Sequence, residues 1–331
     1  MEKNSSTFDA DKVKPNYDSV NQVWNNMLQK YYRSENELDP QYMIEVDCPH
    51  CHTKRELTRE AFELNGFTHL TCNECGCVYV APRLKDECLS ELYADEYYSE
   101  VYGKSMLPAL EARKDMIGIP KCEQILGHRT DKKAGMVLDI GCGVGEVIEA
   151  FRQKKWDCYA TEMNPVAFKS LQDRQINVFH GDFNHYISTK GIDNLKEKFD
   201  IVMAWGVIEH VVDPHEFLAN VAKVLKPGGL FASEVPHSDC LLTHYCRDTG
   251  LDPKRILLGE QHILHYSEKA YCEIHEKAGL KLLHKQTNGL DLRTIFKEEG
   301  VEVSSNIIGT IQKFIDHKMG GDLIRGIWQK A

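Results

Sequence analysis

Four cysteines have the residue type and spacing of a metal site. They form two Cys-x-x-Cys pairs about twenty residues apart: Cys48, Cys51, Cys72 and Cys75. Each pair turns the chain so that two sulfurs face one ion, and two pairs supply the four thiolates of tetrahedral zinc. A hairpin over about 53–70 is expected to join them. The pattern predicts a closed, structural zinc ribbon, to which the neighbouring His50, His52 and Cys77 are redundant.

A second group of residues has the chemistry of a nucleotide-like ligand site. Three glycines follow the apolar run 136–140 at alternate positions: Gly141, Gly143 and Gly145. Glycine permits a sharp turn and a close approach of the backbone to a ligand, and a helix is expected to open at about Glu146. Glu162 lies about 20 residues further on, where a carboxylate grips a ribose diol.

The elements that must hold this loop are visible as short apolar runs. Such runs, ended by polar or glycine residues, are typical of buried parallel strands at whose carboxyl edge a ligand binds. Five strands are predicted: 136–140, 156–162, a run ended by His180-Gly-Asp182, 199–205, and one after the turn Val224-Leu-Lys-Pro-Gly-Gly-Leu230. Ser267 is expected to cap a helix that Gly279 ends. A sixth strand over 280–286 and an antiparallel last strand over 323–328 complete the set.

Together these motifs resemble the class I S-adenosylmethionine (SAM)-dependent methyltransferases over about residues 135–286. The resemblance implies an α/β fold: a Rossmann-like seven-stranded methyltransferase sheet with helices on both faces, preceded by the small zinc-ribbon module. It implies that the loop after Asp139 holds the methionine end of SAM, Glu162 the ribose and Asp182 the edge of the adenine. The implied cofactor-binding residues are Asp139, Gly141, Cys142, Gly143, Gly145, Glu162, Met163, Asp182, Phe183 and Trp205.

Two other interpretations of the glycine loop fit the sequence less well. A dinucleotide fold expects G-x-G-x-x-G, whereas this loop reads G-x-G-x-G, and the Leu-Lys-Pro-Gly-Gly turn is typical of methyltransferases. If the glycines served only tight packing, there would be no reason for the residues at four separate strand ends to match the methyltransferase pattern as well.

Methyl transfer from a sulfonium is an in-line displacement that aligns donor and acceptor and often requires removal of a proton. The resemblance places the base after the fourth strand, where Glu209-His210 stands. His210 is the predicted base, because an unperturbed histidine titrates near pH 6.5; ordering the loop or contacting the cofactor are its alternatives. His262 and His265 are further catalytic candidates. Some relatives use carboxylates beside this Glu-His pair to hold a divalent ion on the acceptor. In this chain Gly206 replaces the upstream carboxylate, which leaves too few ligands. No catalytic metal is therefore predicted.

Composition disfavours several classes of protein. The chain of 331 residues has a formal net charge of -10, whereas surfaces that bind nucleic acids are usually rich in basic residues. No apolar run approaches the length of a membrane span, and the polar amino terminus has no signal-peptide core. Of twelve cysteines, four fit the metal pattern and several others lie in apolar stretches, which favours a reducing compartment. A cytoplasmic protein is predicted.

The order of the motifs predicts four regions. They are a tail with an amphipathic helix (1–46), the zinc ribbon (47–84), a lid or helical connector (85–134), and the methyltransferase domain (135–331) with a substrate-side insertion around 238–262. The amphipathic helix is placed over 20–32, either for core packing or for docking a partner. Tyr97, Tyr98 and Tyr102 either cover the cofactor as a lid or pack a domain junction. The stretch 238–260 is predicted to be irregular.

The ribbon, Pro82-Arg83 and the Leu-Tyr-x-x-x-Tyr-Tyr segment at 92–98 together resemble bacterial methyltransferases of surface-glycan and nucleotide-sugar pathways. This resemblance implies a small-molecule or glycan acceptor, methylated on a sugar hydroxyl. One alternative is an RNA methyltransferase whose ribbon binds the substrate, which the acidic balance disfavours. The other is a SAM-binding module without turnover, which the intact set of predicted site residues disfavours. The sequence predicts no oligomeric state.

Overall fold

The computed structural model describes residues 10–13, 15, 25–131, 133–251 and 255–331. Contacts divide the chain into two units. The first comprises Met1–Gln29 and Glu91–Thr189, and the second comprises Lys30–Ser90 and Lys190–Ala331. The boundaries expected from the sequence, at 46, 84 and 134, stay predictions.

Fifteen strands are present in the described residues. In chain order they are β1 Tyr32–Ser34, β2 Glu37–Leu38, β3 Met43–Ile44, β4 Thr58–Leu64, β5 Phe67–Cys72, β6 Val78–Val80, β7 Arg83–Leu84, β8 Met136–Ile140, β9 Asp157–Glu162, β10 Asn177–His180, β11 Phe199–Trp205, β12 Leu225–Pro236, β13 Leu264–His265, β14 Leu280–Asn288 and β15 Leu323–Lys330.

Seven of these strands form one sheet, in the order β10-β9-β8-β11-β12-β15-β14. Strands β8, β9 and β10 are mutually parallel, and β11 is parallel to β12. Strand β15 is antiparallel to both of its neighbours, β12 and β14. The seven-stranded, mostly parallel sheet and the antiparallel last strand confirm the predicted fold class.

Helices separate most of these strands. The α-helices are Ala10–Val13, Asp86–Ala94, Glu96–Val101, Leu110–Arg113, Ile119–Gly127, Glu146–Gln153, Pro165–Asp173, Phe183–Lys190, Ile192–Leu195, Pro214–Val224, Leu241–Thr249, Glu268–Lys277, Asp291–Glu298 and Ser305–His317. Two π-helical segments, Tyr102–Met106 and Lys114–Gly118, lie between helices of the first unit.

The ribbon has a sheet of its own, of four strands in the order β13-β6-β5-β4. The hairpin β4–β5 lies where the sequence predicted one. Strand β13 belongs to the segment before the Glu268–Lys277 helix and pairs antiparallel with β6, with Leu264 opposite Tyr79 and His265 opposite Val78. Residues predicted as part of the methyltransferase domain therefore complete the sheet of the ribbon.

Several expectations need correction. The stretch 238–260 is not wholly irregular, because Leu241–Thr249 is a helix whose Thr243 N–H is accepted by the Cys240 sulfur. A thiol is not among the usual N-cap side chains, so the start of this helix was not recognisable in the sequence. The Leu-Lys-Pro-Gly-Gly turn is an irregularity inside β12, where the register with β11 shifts and Gly228 has φ +72°.

The predicted amphipathic helix is also shorter than expected at its carboxyl end. Residues 25–28 are helical, a 3-10 turn follows over Gln29–Tyr31, and β1 begins at Tyr32. Residues 20–24 and the tail up to residue 9 lie outside the described residues, as does the side chain of Tyr97.

Candidate functional site

In the second unit, the four predicted cysteine ligands lie together. The Cys48 and Cys75 sulfurs are 3.6 Å apart and those of Cys51 and Cys72 are 3.5 Å apart, and all four sulfurs lie within 4.8 Å of one another. Bonds of about 2.3 Å to a tetrahedral ion would separate two sulfurs by about 3.8 Å. The cluster therefore has the dimensions of a four-thiolate metal site. The mutual hydrogen bond with Cys75 and burial raise the pKa of Cys48.

The second cysteine turn is attached to the segment that follows β12 and β13. The Ser267 hydroxyl donates to the Cys75 carbonyl at 2.6 Å, and the Ser238 hydroxyl donates to the Gly76 carbonyl at 3.0 Å. Ser267 also caps its helix as predicted, since its oxygen accepts from the Ala270 N–H. Two serine hydroxyls therefore hold the second cysteine turn against the segments that follow β12 and β13.

In the first unit, the glycine loop is tied to the carboxylate predicted to bind ribose. The Glu162 side chain is buried and accepts from the backbone N–H groups of Gly143 and Asn164, both at 2.7 Å. Gly143 has φ +57°, a conformation that glycine adopts at little cost. Burial raises the pKa of Glu162, against these N–H donors. The two carboxylate oxygens have about four lone-pair sites in total, so the group can accept from a hydroxyl donor as well.

Asn164 contacts the predicted ribose carboxylate and was not among the residues predicted from the sequence. It links the loop to the helix Pro165–Asp173, because its side-chain oxygen accepts from the N–H groups of Val166 and Ala167 while its own N–H holds Glu162. The signal was available, since asparagine followed by proline is a typical helix start.

Asp139 is buried at the end of β8, and its Oδ1 atom has no hydrogen-bond partner. Burial, followed by the nearby Glu146 carboxylate, raises its pKa well above the ordinary value. A buried acceptor of this kind is costly unless a donor satisfies it. The ammonium group at the methionine end of SAM has the charge and the donors that Asp139 lacks, so the residues present fit this cofactor.

The other predicted cofactor residues of the first unit have structural partners of their own. The Asp182 carboxylate accepts from the His185 N–H at 2.7 Å, and Phe183 is buried in the helix that begins there. The Met163 carbonyl accepts from the His180 ring at 3.0 Å. The buried Cys142 donates its N–H to the Thr161 carbonyl. Their contacts with SAM stay predictions.

The tyrosines expected to form a lid lie against the glycine loop within the first unit. Tyr98 and Tyr102 are in edge-to-face contact, with ring centroids 5.4 Å apart. Tyr102 packs with the buried Val144 and Ala167, and its ring lies 3.8 Å from the position of a Cβ on Gly143. The two rings therefore pack on the glycine loop. Their role as a lid over the cofactor stays a prediction.

In the second unit, β11 is followed by the turn that carries the predicted base. Trp205, a predicted cofactor residue, lies at the end of β11. The Arg325 guanidinium carbon lies over its ring, 5.5 Å from the ring centroid. Glu209 is 2% exposed, its Oε2 has no hydrogen-bond partner, and burial raises its pKa to about 8. The side chain of His210 is 19% exposed. Its Nδ1 lies 2.9 Å from the Gln261 carbonyl.

Burial lowers the pKa of His210 to about 4. A base acts in its deprotonated form, so turnover that depends on this group would rise through about pH 4 and be complete above it. The sequence alone predicted this rise in turnover near pH 6.5. Burial of the His210 ring moves the rise to lower pH.

The structure brings only one of the two further histidine candidates to this turn. His262 lies beside His210 with ring centroids 4.8 Å apart, and the Ile263 N–H donates to the Glu209 carbonyl at 3.0 Å. His265 is fully buried in β13, and its two ring nitrogens face the carbonyls of Val78 and Ile256 at 3.3 and 2.9 Å. His265 therefore has the contacts of a structural residue in the ribbon sheet.

With this geometry established, the chain can be compared with known proteins. Residues 119–285 match the family model described as a methyltransferase domain. The chain belongs to the family of class I SAM-dependent methyltransferases. The fold, the glycine loop and Glu162 agree with this membership, and the alternative of a dinucleotide fold is excluded.

Relatives of this methyltransferase match it over short stretches. The ubiquinone biosynthesis O-methyltransferase of Maricaulis maris is 35% identical over 97 residues, which are 28% of this chain and 37% of that protein. The tRNA U34 carboxymethyltransferase of Pseudoalteromonas translucida is 32% identical over 111 residues, 33% of this chain and 34% of that protein. The methyltransferase thus spans about a third of the length of these curated relatives.

Among solved structures, a chain from the complex of the Haloferax volcanii Trm112 methyltransferase activator with a methyltransferase is similar, with 16% identity and a TM-score of 0.49. The match covers 70% of this chain and 96% of that one. Over the residues that the structure describes, no helix is both long and apolar enough to cross a membrane.

Replacement of Glu162 by alanine is expected to weaken the binding of SAM and of its demethylated product about ten- to a hundred-fold. The carboxylate is worth about 1.5–3 kcal/mol as a charge-assisted acceptor for the ribose hydroxyls. Titration calorimetry measures the change. Because Glu162 also holds the Gly143 and Asn164 N–H groups, Glu162→Gln serves as the control that keeps one oxygen, with an intermediate loss expected. Unchanged affinity in Glu162→Ala would remove this residue from the site.

Proposed function

We propose that this methyltransferase methylates a hydroxyl group of a small polar acceptor, specifically a sugar hydroxyl in a nucleotide sugar or surface glycan. The observation that carries the proposal is the group formed by Glu209, His210 and His262 after β11. It combines a carboxylate oxygen that has no hydrogen-bond partner with two imidazoles whose Nδ1 atoms face backbone carbonyls. A polar, partly exposed group of this kind suits an acceptor that must lose a proton.

The roles of the residues follow from their surroundings. SAM, when bound, supplies a methyl group on a positively charged sulfur. Asp139 provides an anionic acceptor for its ammonium group, and Glu162 provides lone pairs for the ribose hydroxyls. In the proposal His210 orients the acceptor hydroxyl and receives its proton at Nε2, while the Gln261 carbonyl fixes the ring.

Two kinds of evidence support a hydroxyl acceptor. The Maricaulis maris relative is named an O-methyltransferase. The ribbon with the segment over 82–98 resembles glycan-pathway enzymes, which favours a sugar over an aromatic acceptor. A formal net charge of -10 disfavours the alternative of an RNA acceptor.

We also propose that the four-cysteine cluster holds a structural zinc ion. Four thiolates close the coordination sphere, so the ion would have no open position for a substrate. Its function would be to stabilise the sheet that β13 completes.

Incubation with labelled SAM and a panel of nucleotide sugars, followed by mass spectrometry, tests the acceptor. The expected product is one methyl group heavier, and alkali-stable attachment at a ring hydroxyl identifies O-methylation. Label transferred to nitrogen or carbon, or to no sugar in a broad panel, would contradict the proposal.

A second candidate is a tRNA acceptor, because the Pseudoalteromonas translucida relative is named a tRNA-modifying enzyme. A gel shift with bulk tRNA distinguishes the two. Binding to RNA through phosphates would weaken steeply with added salt, whereas the sugar acceptor predicts no shift at about 0.15 M salt.

A further inference from the structure

A cleft of the second unit is lined by residues outside the sites described so far. It has a volume of about 560 Å³, within the range of small-ligand sites. The start of the Glu268–Lys277 helix, Lys285 of β14, the stretch 318–320 and His237 line it. No residue predicted to bind SAM, to handle the acceptor proton or to hold zinc is among its lining residues.

His237 is a buried polar side chain that lines this cleft. The residue is 3% exposed, and its Nδ1 lies 3.2 Å from the Gly321 carbonyl. A carbonyl oxygen only accepts, so Nδ1 carries the proton and Nε2 presents a lone pair. Burial lowers the pKa of His237, against the Gly321 carbonyl and nearby carboxylates, so the ring is neutral at pH 7.

The second nitrogen of this ring is available to a ligand. Within the described part of the chain, His237 Nε2 has no hydrogen-bond partner. A buried acceptor without a donor is costly, and a ligand hydroxyl that donates to Nε2 would offset that cost.

Lys285 contributes a partly buried positive charge. Its side chain is 19% exposed, and its ammonium group donates to the Glu268 carboxylate and, at 3.6 Å, to the Cys272 sulfur. Burial opposes the charge, but the contact with Glu268 and the nearby Cys272 prevail, so the pKa of Lys285 is raised. Glu268 is thereby neutralised by a partner inside the cleft.

Two further lysines border the same space with weaker contacts. The Lys269 ammonium is 3.8 Å from the Glu273 carboxylate, beyond hydrogen-bond distance. The Lys318 ammonium lies over the Phe314 ring, 5.9 Å from its centroid. Among the described residues, no carboxylate lies within 4 Å of the Lys318 ammonium.

The balance of charge in the cleft favours an anion. Three ammonium groups line it against two carboxylates, those of Glu268 and Asp239, whereas the whole chain has a formal net charge of -10. Asp239 lies 2.8 Å from the His244 ring. The first N–H groups of the Glu268–Lys277 helix have no partner inside the helix and form the positive end of its dipole.

We propose that this cleft binds a small ligand that carries both a phosphate group and a hydroxyl group, as a sugar phosphate does. The phosphate would lie between Lys285, Lys318 and the start of the Glu268–Lys277 helix, since lysine binds phosphate as a point charge. The hydroxyl would donate to His237 Nε2. The two halves of the cleft, cationic and accepting, thus match the two groups of one ligand.

Two sources supply a ligand of this chemistry. One is the nucleotide sugar of the proposed function, whose diphosphate would be held here while its sugar is methylated; the other is a free sugar phosphate. Strands β11 and β12 are parallel neighbours, with Trp205 opposite Glu234. His210 and His237 follow these two residues closely, at the same edge of the sheet, which favours the nucleotide sugar. Only this choice of source rests on the proposed function.

Titration calorimetry of the zinc-loaded protein with inorganic pyrophosphate and with glucose 1-phosphate tests the cleft. Both probes should bind wild type. Lys285→Gln should weaken both about tenfold, and Lys318→Gln about threefold because its amine is more exposed to solvent. Lys313→Gln is the matched control, since it removes an exposed lysine of the nearby Ser305–His317 helix that does not line the cleft. It should bind both probes as wild type does.

His237→Asn tests the hydroxyl contact separately. The asparagine amide can still donate to the Gly321 carbonyl, whereas the acceptor at Nε2 is lost. Affinity for glucose 1-phosphate should fall about fivefold, and affinity for pyrophosphate, which has no sugar hydroxyl, should stay as in wild type. Unchanged affinity for glucose 1-phosphate in the folded variant would overturn this contact.

The remaining outcomes separate this inference from the proposed function. No pyrophosphate binding by wild type, or equal affinity in folded Lys285→Gln and Lys318→Gln, would overturn the phosphate site; thermal melts establish folding. If the cleft holds the nucleotide sugar, Lys285→Gln should raise the KM for that acceptor and leave the KM for SAM unchanged. An unchanged acceptor KM would assign the cleft to a free sugar phosphate. Normal pyrophosphate binding with no sugar methylated would leave the cleft standing and remove the proposed function.

Discussion

Replacement of His210 by alanine is expected to lower the turnover of methyl transfer by about 10²–10⁴-fold, the usual range for loss of a group that handles a proton in the reaction. The affinity for SAM is expected to change little, because the residues proposed to hold SAM, Asp139 and Glu162, are on other strands. Burial keeps the pKa of His210 at about 4, so the loss should be similar at every pH above about 5. Steady-state rates and calorimetry with SAM measure the two effects.

The matched variant for this experiment is His262→Ala. A smaller loss in His262→Ala than in His210→Ala is expected if His210 alone receives the proton. Losses of similar size in both variants would instead indicate that both rings are needed for proton removal. Near-normal turnover in His210→Ala would transfer the proposed role to His262, or would mean that alignment of the acceptor suffices.

A structural role for His210 has a different signature. Its Nδ1 contact with the Gln261 carbonyl joins the turn after β11 to the stretch before β13. If bracing were its function, His210→Ala would lower the melting temperature and SAM affinity together while turnover of the folded fraction persisted. A thermal melt on the same samples distinguishes this outcome.

Local sequence patterns predicted the parts of the fold that depend on neighbouring residues. The run 136–140 is apolar and ends in glycine, so a strand followed by a tight loop was predictable, and β8 and the helix at Glu146 confirm it. Ser267 followed by Glu268 predicted a helix start in the same way, and its hydrogen bond to the Ala270 N–H confirms it.

Contacts between distant segments were not predictable from such patterns. The pairing of β13 with β6 joins residues more than 180 positions apart, for example His265 with Val78. The pattern of polar and apolar residues within a strand does not show which other strand will pair with it. His265 was therefore a catalytic candidate in the sequence, whereas its buried ring contacts two backbone carbonyls in the structure.

The chemistry of the candidate site depends on the same long-range contacts. Residue type alone gave His210 a pKa near the ordinary value, because burial is a property of the folded turn. The orientation of the His262 ring depends on the Ile256 carbonyl, which no spacing rule places beside it. Residue identities thus predicted a candidate site, and packing determined the hydrogen bonds and pKa values of its side chains.

Replacement of Cys48 or Cys75 by serine is expected to abolish the binding of about one zinc ion per chain and to lower the melting temperature markedly. Structural zinc contributes on the order of 10 kcal/mol to the folding of small modules. Without it, the β4–β6 sheet would lose the ion that holds its two cysteine turns. Metal analysis and thermal melts of protein purified without chelators measure both quantities.

Cys77→Ser is the matched control, because Cys77 is buried beside the cluster but is not among its four ligands. It should keep the zinc and lose only modest stability. Wild-type protein with no bound metal, or a Cys77→Ser variant that loses it, would contradict the ligand set. Since Ser267 donates to the Cys75 carbonyl and β13 pairs with β6, loss of zinc should also loosen the segment that carries His262. If the ion is structural, turnover of the serine variants should depend on whether the ribbon is folded. At temperatures at which the ribbon is unfolded, turnover should fall. At low temperatures, at which the ribbon stays folded, turnover should persist.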